Sequence, residues 1–231
     1  MMRREPDRIM SPRWFLALAA FGVAALGLVG CVVPPTASMQ SARCMDEKQH
    51  RIVPYMTAVE RESGVSGGQV THERIANDYG LLVGIGTKYD SELQIRFDRI
   101  QFVDDNDGYN FTSIGPKFGI VEDVFAVVIP FGLYWNGAGV FFDTIQLHPG
   151  MIVSLPVDKH LEISTAGKVI VPLSDAASRW YVLNLGLALS SDVDRWAVLP
   201  ELGVAWGSGG GAGATLFTYG VSLAFYPRSD E

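Results

Sequence analysis

The chain of 231 residues has little of what most catalytic and nucleic-acid-binding sites need. It holds two cysteines, Cys31 and Cys44, and four histidines, His50, His72, His148 and His160. No HExxH or CxxC spacing occurs, and the glycine-rich stretches Gly84-Ile85-Gly86 and 207–213 lack the Lys-Ser/Thr that follows a phosphate loop. The acidic run 104–107 fails the calcium-loop spacing, because position one would be Val103. Basic residues are outnumbered, 18 against 25, for a net charge of −7, which argues against a nucleic-acid partner. Disorder is excluded by the 48% apolar content. No cofactor, metal or enzymatic activity is expected from these residues. His72 and Glu73, with Asp104, Asp105 and Asp107, are the weak rim candidates for acid-base work, and a solvated loop explains them better.

The first thirty residues read as an address. Trp14–Val29 is an uncharged apolar stretch of sixteen residues behind Arg13, short for a spanning helix and right for a signal-peptide core. It ends in Leu28-Val29-Gly30-Cys31, which resembles a bacterial lipobox. That resemblance implies diacylation of Cys31, cleavage before it and acylation of the new amine. Met10, opening MSPRWF, offers an alternative start. Cleavage leaves 14 basic and 23 acidic residues. Val32 and Val33, with no Asp after the cysteine, fit outer-membrane rather than inner-membrane delivery of such a lipoprotein. Cys44 is then left without an intramolecular partner and reads as a plain free thiol. The organisation expected is a signal peptide over 1–30, a flexible lipidated tether over 31–48, a β-barrel over 49–227 and a tail over 228–231.

Beyond the tether the hydrophobic period is two. In 181–189 the odd positions are Tyr181, Leu183, Leu185, Leu187 and Leu189, and the even ones Val182, Asn184, Gly186 and Ala188. Residues 217–225 repeat this with Phe217, Tyr219, Val221, Leu223 and Phe225 against Thr218, Gly220, Ser222 and Ala224. Such alternation specifies strands. Further strands are expected over 124–134, 144–157, 161–173 and 196–206, and weaker ones over 50–59, 79–88, 92–102 and 111–121. Ten strands of this length match the ~9–11 residues that a tilted strand needs to cross a bilayer. The links alternate long and short: 60–78, 89–91, 103–110, 122–123, 135–143, 158–159, 174–179, 191–194 and 207–213. An outer-membrane barrel has this pattern of longer outer loops and tight periplasmic turns. A lipid on Cys31 would sit at the periplasmic leaflet, which makes the first, long link external.

Trp135, Phe141, Phe142, Trp180, Tyr181, Trp206, Tyr109 and Phe111 fall near the outer strand ends, and Trp196, Phe225, Tyr226 and Tyr89 near the inner ends, as interfacial girdles would. The face away from lipid carries Arg51, Glu92, Arg96, Asp98, Lys117, Glu162, Lys168 and Glu201, with Gln94, Gln146, His148 and Asn184. Arg51, Glu92 and Glu162 are expected near the periplasmic end. Arg96, Lys117 and Glu201 are expected as a mid-barrel cluster. This charge-balanced set reads either as a plug that fills a small barrel or as a polar conduit.

The lipobox, the even strand count, the loop alternation and segments such as GPKFGIVEDVFAVVIPFGLYW and NLGLALSSDVDRWAVLPELG resemble small bacterial outer-membrane β-barrel proteins. The resemblance implies an all-β, antiparallel up-and-down barrel, attached to outer-membrane lipid and in contact with lipopolysaccharide, acting as a structural or interaction element or as a narrow passive pore. The chain departs from that pattern where PRSDE follows Phe225-Tyr226. The alternative is a lipid-anchored periplasmic barrel of lipocalin type, binding a small amphiphile in an apolar interior.

Overall fold

The computed structural model describes residues 35–66, 69–104, 108–136, 139–173, 179–208 and 214–227. The signal peptide, Cys31 and its lipobox, Asp105 to Asp107 and the tail lie outside the described residues. Twelve strand segments follow one another: β1 His50–Ser66, β2 Gln69–Gly86, β3 Ser91–Phe102, β4 Gly108–Val121, β5 Phe125–Val128, β6 Phe131–Asn136, β7 Gly139–Leu147, β8 Gly150–Asp158, β9 Leu161–Pro172, β10 Arg179–Leu189, β11 Trp196–Ser208 and β12 Thr215–Phe225. Every pairing is antiparallel, and β12 closes on β1 while β9 closes on β10, so the sheet has no free edge around its girth. No helix among the described residues is long and apolar enough to cross a membrane, which does not bear on strands.

Twelve segments make ten barrel strands. β5 and β6 both pair with β4, and on their other side pair with β8 and β7 respectively. They are two halves of one strand, broken at Ile129-Pro130, as β7 and β8 are at His148-Pro149. Proline has no amide hydrogen, so the ladder lapses there. Two bonds bridge the breaks: Ile129 N donates to Pro116 O (3.0 Å) and His148 N to Pro130 O (2.8 Å).

Tight connections gather at one end, called here the turn rim, at 87–90, 122–124, 159–160 and 190–195. At the loop rim the first link is not a loop. The strands expected to stop at residue 59 and restart at 79 instead continue as a hairpin to Ser66 and Gln69, outrunning β12 and β3, whose pairings end at Arg61 and Ala76. His72 and Glu73 therefore lie on a projecting two-stranded ribbon, Glu73 paired to Arg61 at 3.2 Å and His72 edge-on to Phe217. The link expected over 135–143 is likewise mostly strand, in β6 and β7.

One glycine fixes a close approach inside the wall. A Cβ on Gly80 would fall within the ring of Tyr55, which lies along the wall over Gly80 to reach Asp98 on β3. Gly80→Ala is therefore expected to cost about 1–3 kcal/mol as overpacking, read as a shift of the urea midpoint, while Gly167→Ala, whose Cβ meets nothing, leaves the midpoint in place.

Candidate functional site in the barrel lumen

The two faces of the wall are inverted relative to a soluble barrel. Along β10, Leu183, Leu185, Leu187 and Leu189 point outward, 37–54% exposed, while Val182, Asn184, Gly186 and Ala188 are buried inside. β12 repeats this with Phe217, Tyr219 and Val221 out and Leu216, Thr218, Ser222 and Ala224 in. Trp135, Tyr181, Trp206, Trp196, Phe225 and Tyr89 stand on the outer face. Phe111 does not: it turns into the lumen against Tyr134 and stacks on His148 with ring centroids 5.2 Å apart. Tyr226 also packs against the interior cluster. The side chains of Phe141 and Phe142 lie outside the described residues.

The lumen is not empty. Residues 35–45, part of the stretch to residue 48 expected as a flexible tether, run inside the barrel, and Thr36, Ala37, Met39, Ser41, Ala42 and Met45 are each at most 5% exposed, while 46–48 are exposed at the turn rim. This segment carries no hydrophobic period, so its own pattern cannot hold it; the inward side chains of the strands do. Lys168 Nζ donates to Pro35 O (2.7 Å) and Ala37 O (3.2 Å), and Asn184 Nδ2 to Thr36 O (2.8 Å) and Ser38 Oγ (2.9 Å). Glu201 accepts from the successive amides of Ser38 (2.8 Å) and Met39 (2.7 Å). Met39 adopts φ 47°, a left-handed conformation, directly after the two amides that Glu201 holds. Below, Gln94 donates to Gln40 Oε1 (2.7 Å), Ala42 N donates to Ser154 Oγ (2.8 Å) and Lys117 Nζ donates to Ser41 O (2.8 Å) and to Arg43 O. Arg43 ends the descent at the turn rim, paired with Asp194 and, at 3.3 Å, Asp123.

The structure places the eight charged candidates in three arrangements, not around one mid-barrel trio. Arg51 and Glu92 form a buried pair near the turn rim, with Lys117 Nζ 3.8 Å from Glu92 Oε2. Lys117 belongs here because its register partner is Glu92. Glu162 is buried at the same end of β9. Arg96 grips Asp98 through Nε (2.8 Å), lies 3.5 Å from Asp78, and stacks its guanidinium over Tyr55, whose hydroxyl donates to Asp98; its Nη1 donates to Ala37 O (2.5 Å). Glu201 and Lys168 form the third set, both spent on the luminal segment. Sequence reasoning missed Asp78 and Tyr55: the first falls inside the expected loop 60–78, and the second in the weakly patterned strand 50–59.

At the turn rim a cavity of ≈ 320 Å³ is lined by Arg43, Cys44, Asp46, Asp90, Asp123 and Asp194 among others. Burial pushes the Cys44 thiol up, with Lys117 opposing, so the free Cys44 carries less thiolate than an ordinary cysteine. Chemically the assembly offers no nucleophile poised on a base. His148 shares a bond with Gln146 Oε1 (3.0 Å) under the Phe111 ring, and His160 sits in a rim turn against Ser190 O. What the arrangement does is fill a passage: charged side chains of the wall are satisfied by backbone carbonyls and amides of the chain's own N-terminal segment.

No protein-family model matches the chain, and a search of curated proteins finds no match. Among solved structures it is similar to the translocator domain of the autotransporter NalP from Neisseria meningitidis, at 10% identity over 92% of this chain and 97% of that one, TM-score 0.41. An outer membrane channel from Pseudomonas putida F1 gives 11% identity over 84% and 99%, TM-score 0.48. The N-terminal β-barrel domain of Pseudomonas aeruginosa OprF gives 12% identity over 78% and 100%, TM-score 0.33.

Proposed function

We propose that the chain is an outer-membrane β-barrel with a lipid anchor on Cys31, non-enzymatic, that presents its hairpins on one side of the membrane and whose lumen residues 35–45 can fill. The observation that carries the placement is the outward row Leu183, Leu185, Leu187 and Leu189 facing away from buried Asn184. A row of that kind repeated round the barrel is stable in hydrocarbon and an aggregation hazard in water. A lipocalin-type cup would show the reverse, apolar inside and polar outside. While the luminal segment is in place the barrel is a structural or interaction element and not a standing pore, because the charges that would tune ion passage are hydrogen-bonded to it. The Leu28-Val29-Gly30-Cys31 sequence supports the anchor, and the projecting β1–β2 ribbon is the surface that would meet lipopolysaccharide or a partner.

Membrane fractionation combined with unboiled electrophoresis tests this reading. The Cys31→Ala chain, fused to an ordinary signal peptide, is expected to remain in the outer membrane and to migrate unboiled as a compact, detergent-resistant species. Recovery of that variant as a soluble periplasmic protein would overturn the spanning placement and leave lipid as the only attachment.

A further inference from the structure

The lumen and the anchor make incompatible demands on the same stretch of chain. Thr36 O is held by Asn184, which lies five residues above Leu189, the last residue of β10 at the turn rim. At ~3.3 Å per residue and a tilt of ~40°, Thr36 sits ~13 Å inside that rim. Ten strands ~4.8 Å apart at the same tilt enclose a backbone cylinder of radius ~10 Å, with ~5 Å of side chain beyond it before lipid begins. A lipid on Cys31 that inserts in the leaflet at the turn rim must therefore lie ~25 Å or more, by an open path, from Thr36. Five residues of extended chain span at most ~18 Å. The direct route is closed by the ladder β9–β10–β11, and the way back down is filled by residues 37–45.

We infer that luminal occupancy by residues 35–45 and insertion of the Cys31 lipid into the turn-rim leaflet exclude each other, so that anchoring draws the segment out and opens the lumen. This rests on the lipobox reading of Cys31. Released from the lumen, the nineteen residue-to-residue steps from Cys31 to His50 reach up to ~60 Å, ample for any point on that leaflet. What the segment leaves behind is suited to water: Lys168, Lys117, Arg96, Asn184 and Glu201 exchange carbonyl and amide partners for solvent. At the rim the segment is held by the Arg43 pairs with Asp123 and Asp194, whose carboxylates are about half exposed, by Lys117 on the Arg43 carbonyl and by Gly86 N on the Gln49 carbonyl. Insertion of the acyl chains is the stronger pull. The barrel is thus closed where the lipid is absent and open where it is inserted.

The test uses the acylated chain and the Cys31→Ala chain, each extracted from membranes and weighed intact to establish whether Cys31 carries lipid. Both are made with Cys44→Ser, and with Ser38→Cys and Asn184→Cys, whose native side chains touch at 2.9 Å. On oxidation the Cys31→Ala chain is expected to cross-link 38 to 184 almost completely, and the acylated chain only in a minor fraction. In planar bilayers, without the cross-linking cysteines, the acylated chain is expected to conduct and the Cys31→Ala chain to be silent. A chain that carries lipid on Cys31 yet cross-links fully, or stays silent, would overturn the inference while leaving the anchor standing, since the lipid would then sit on the loop-rim side. A mass without lipid would overturn the anchor itself and this inference with it.

Discussion

Deleting residues 35–43 from the Cys31→Ala chain is expected to turn a silent barrel into a conducting one. The strands alone form a closed ring with no edge to collapse upon, so loss of the segment leaves the wall in place and removes what fills its middle. The side chains then exposed to the passage include Arg51, Arg96, Lys117 and Lys168 against Asp78, Glu92, Asp98, Glu162 and Glu201, near balance in sign, so the channel is expected to show weak ion selectivity. Glu201→Gln acts on the same contact more gently. It keeps the volume but removes the charge that accepts the Ser38 and Met39 amides, and brief openings are expected where the deletion gives sustained ones. A deletion variant that folds, as judged by heat-modifiable migration, and still passes no current would show that the wall side chains close the lumen without the segment.

Glu92→Leu is expected to be among the most destabilising single changes in the barrel, at about 3–5 kcal/mol by equilibrium urea unfolding from vesicles. Glu92 is 1% exposed, ion-paired to Arg51, 3.8 Å from Lys117 Nζ, and accepts from Gln94 Nε2 at 3.2 Å. Its loss leaves two cations buried side by side with no anion between them, where like charges repel and neither reaches water. Gly84 leaves room for the Glu92 carboxylate, since a Cβ there would collide with it. The double variant Arg51→Met/Glu92→Leu, which removes one cation together with the anion, is expected to recover a large part of the loss. Glu92→Leu with the stability of the parent would show that the pair is bathed in solvent.

The parts of this fold that were legible in the sequence are those where hydrocarbon and lumen face each other across one strand. In 181–189 and 217–225 every second residue must suit lipid and the others must not, and the pattern is unbroken. The inward position of Arg51, Glu92, Arg96, Asp98, Lys117, Glu162, Lys168 and Glu201 followed from the same rule. Depth did not follow, because it depends on register: Lys117 sits with Glu92 near the turn rim through the β3–β4 pairing, which no single strand encodes. The β1–β2 ribbon was read as loop because both of its faces meet water beyond the barrel, and Arg61, Glu62, Glu73 and Arg74 give no apolar contrast to detect. Phe111 was placed on the girdle from its position near a strand end, where its pairing with Tyr134 makes it luminal.

The luminal segment was the largest surprise, and its cause is general. A segment held by other elements' side chains through its own backbone needs no periodicity, and Pro34-Pro35-Thr36-Ala37-Ser38 has the composition of a linker. One signal was present. From Val32 to Ala42 the sequence carries no charged residue, eleven in a row, and its side chains are small apart from Met39 and Gln40. A solvated tether has no reason to avoid charge, whereas a chain threading a lumen already furnished with Lys117, Lys168, Arg96 and Glu201 does.

The inverted wall is most directly tested by spin labels placed one at a time from 182 to 189 in the protein reconstituted in vesicles, comparing collision with oxygen, which concentrates in lipid, and with a polar nickel chelate, which does not. High oxygen and low nickel accessibility at 183, 185, 187 and 189, alternating with low values for both at 182, 184, 186 and 188, is the result predicted. High nickel accessibility at the odd positions would place Leu183, Leu185, Leu187 and Leu189 in water and contradict a barrel that spans the membrane.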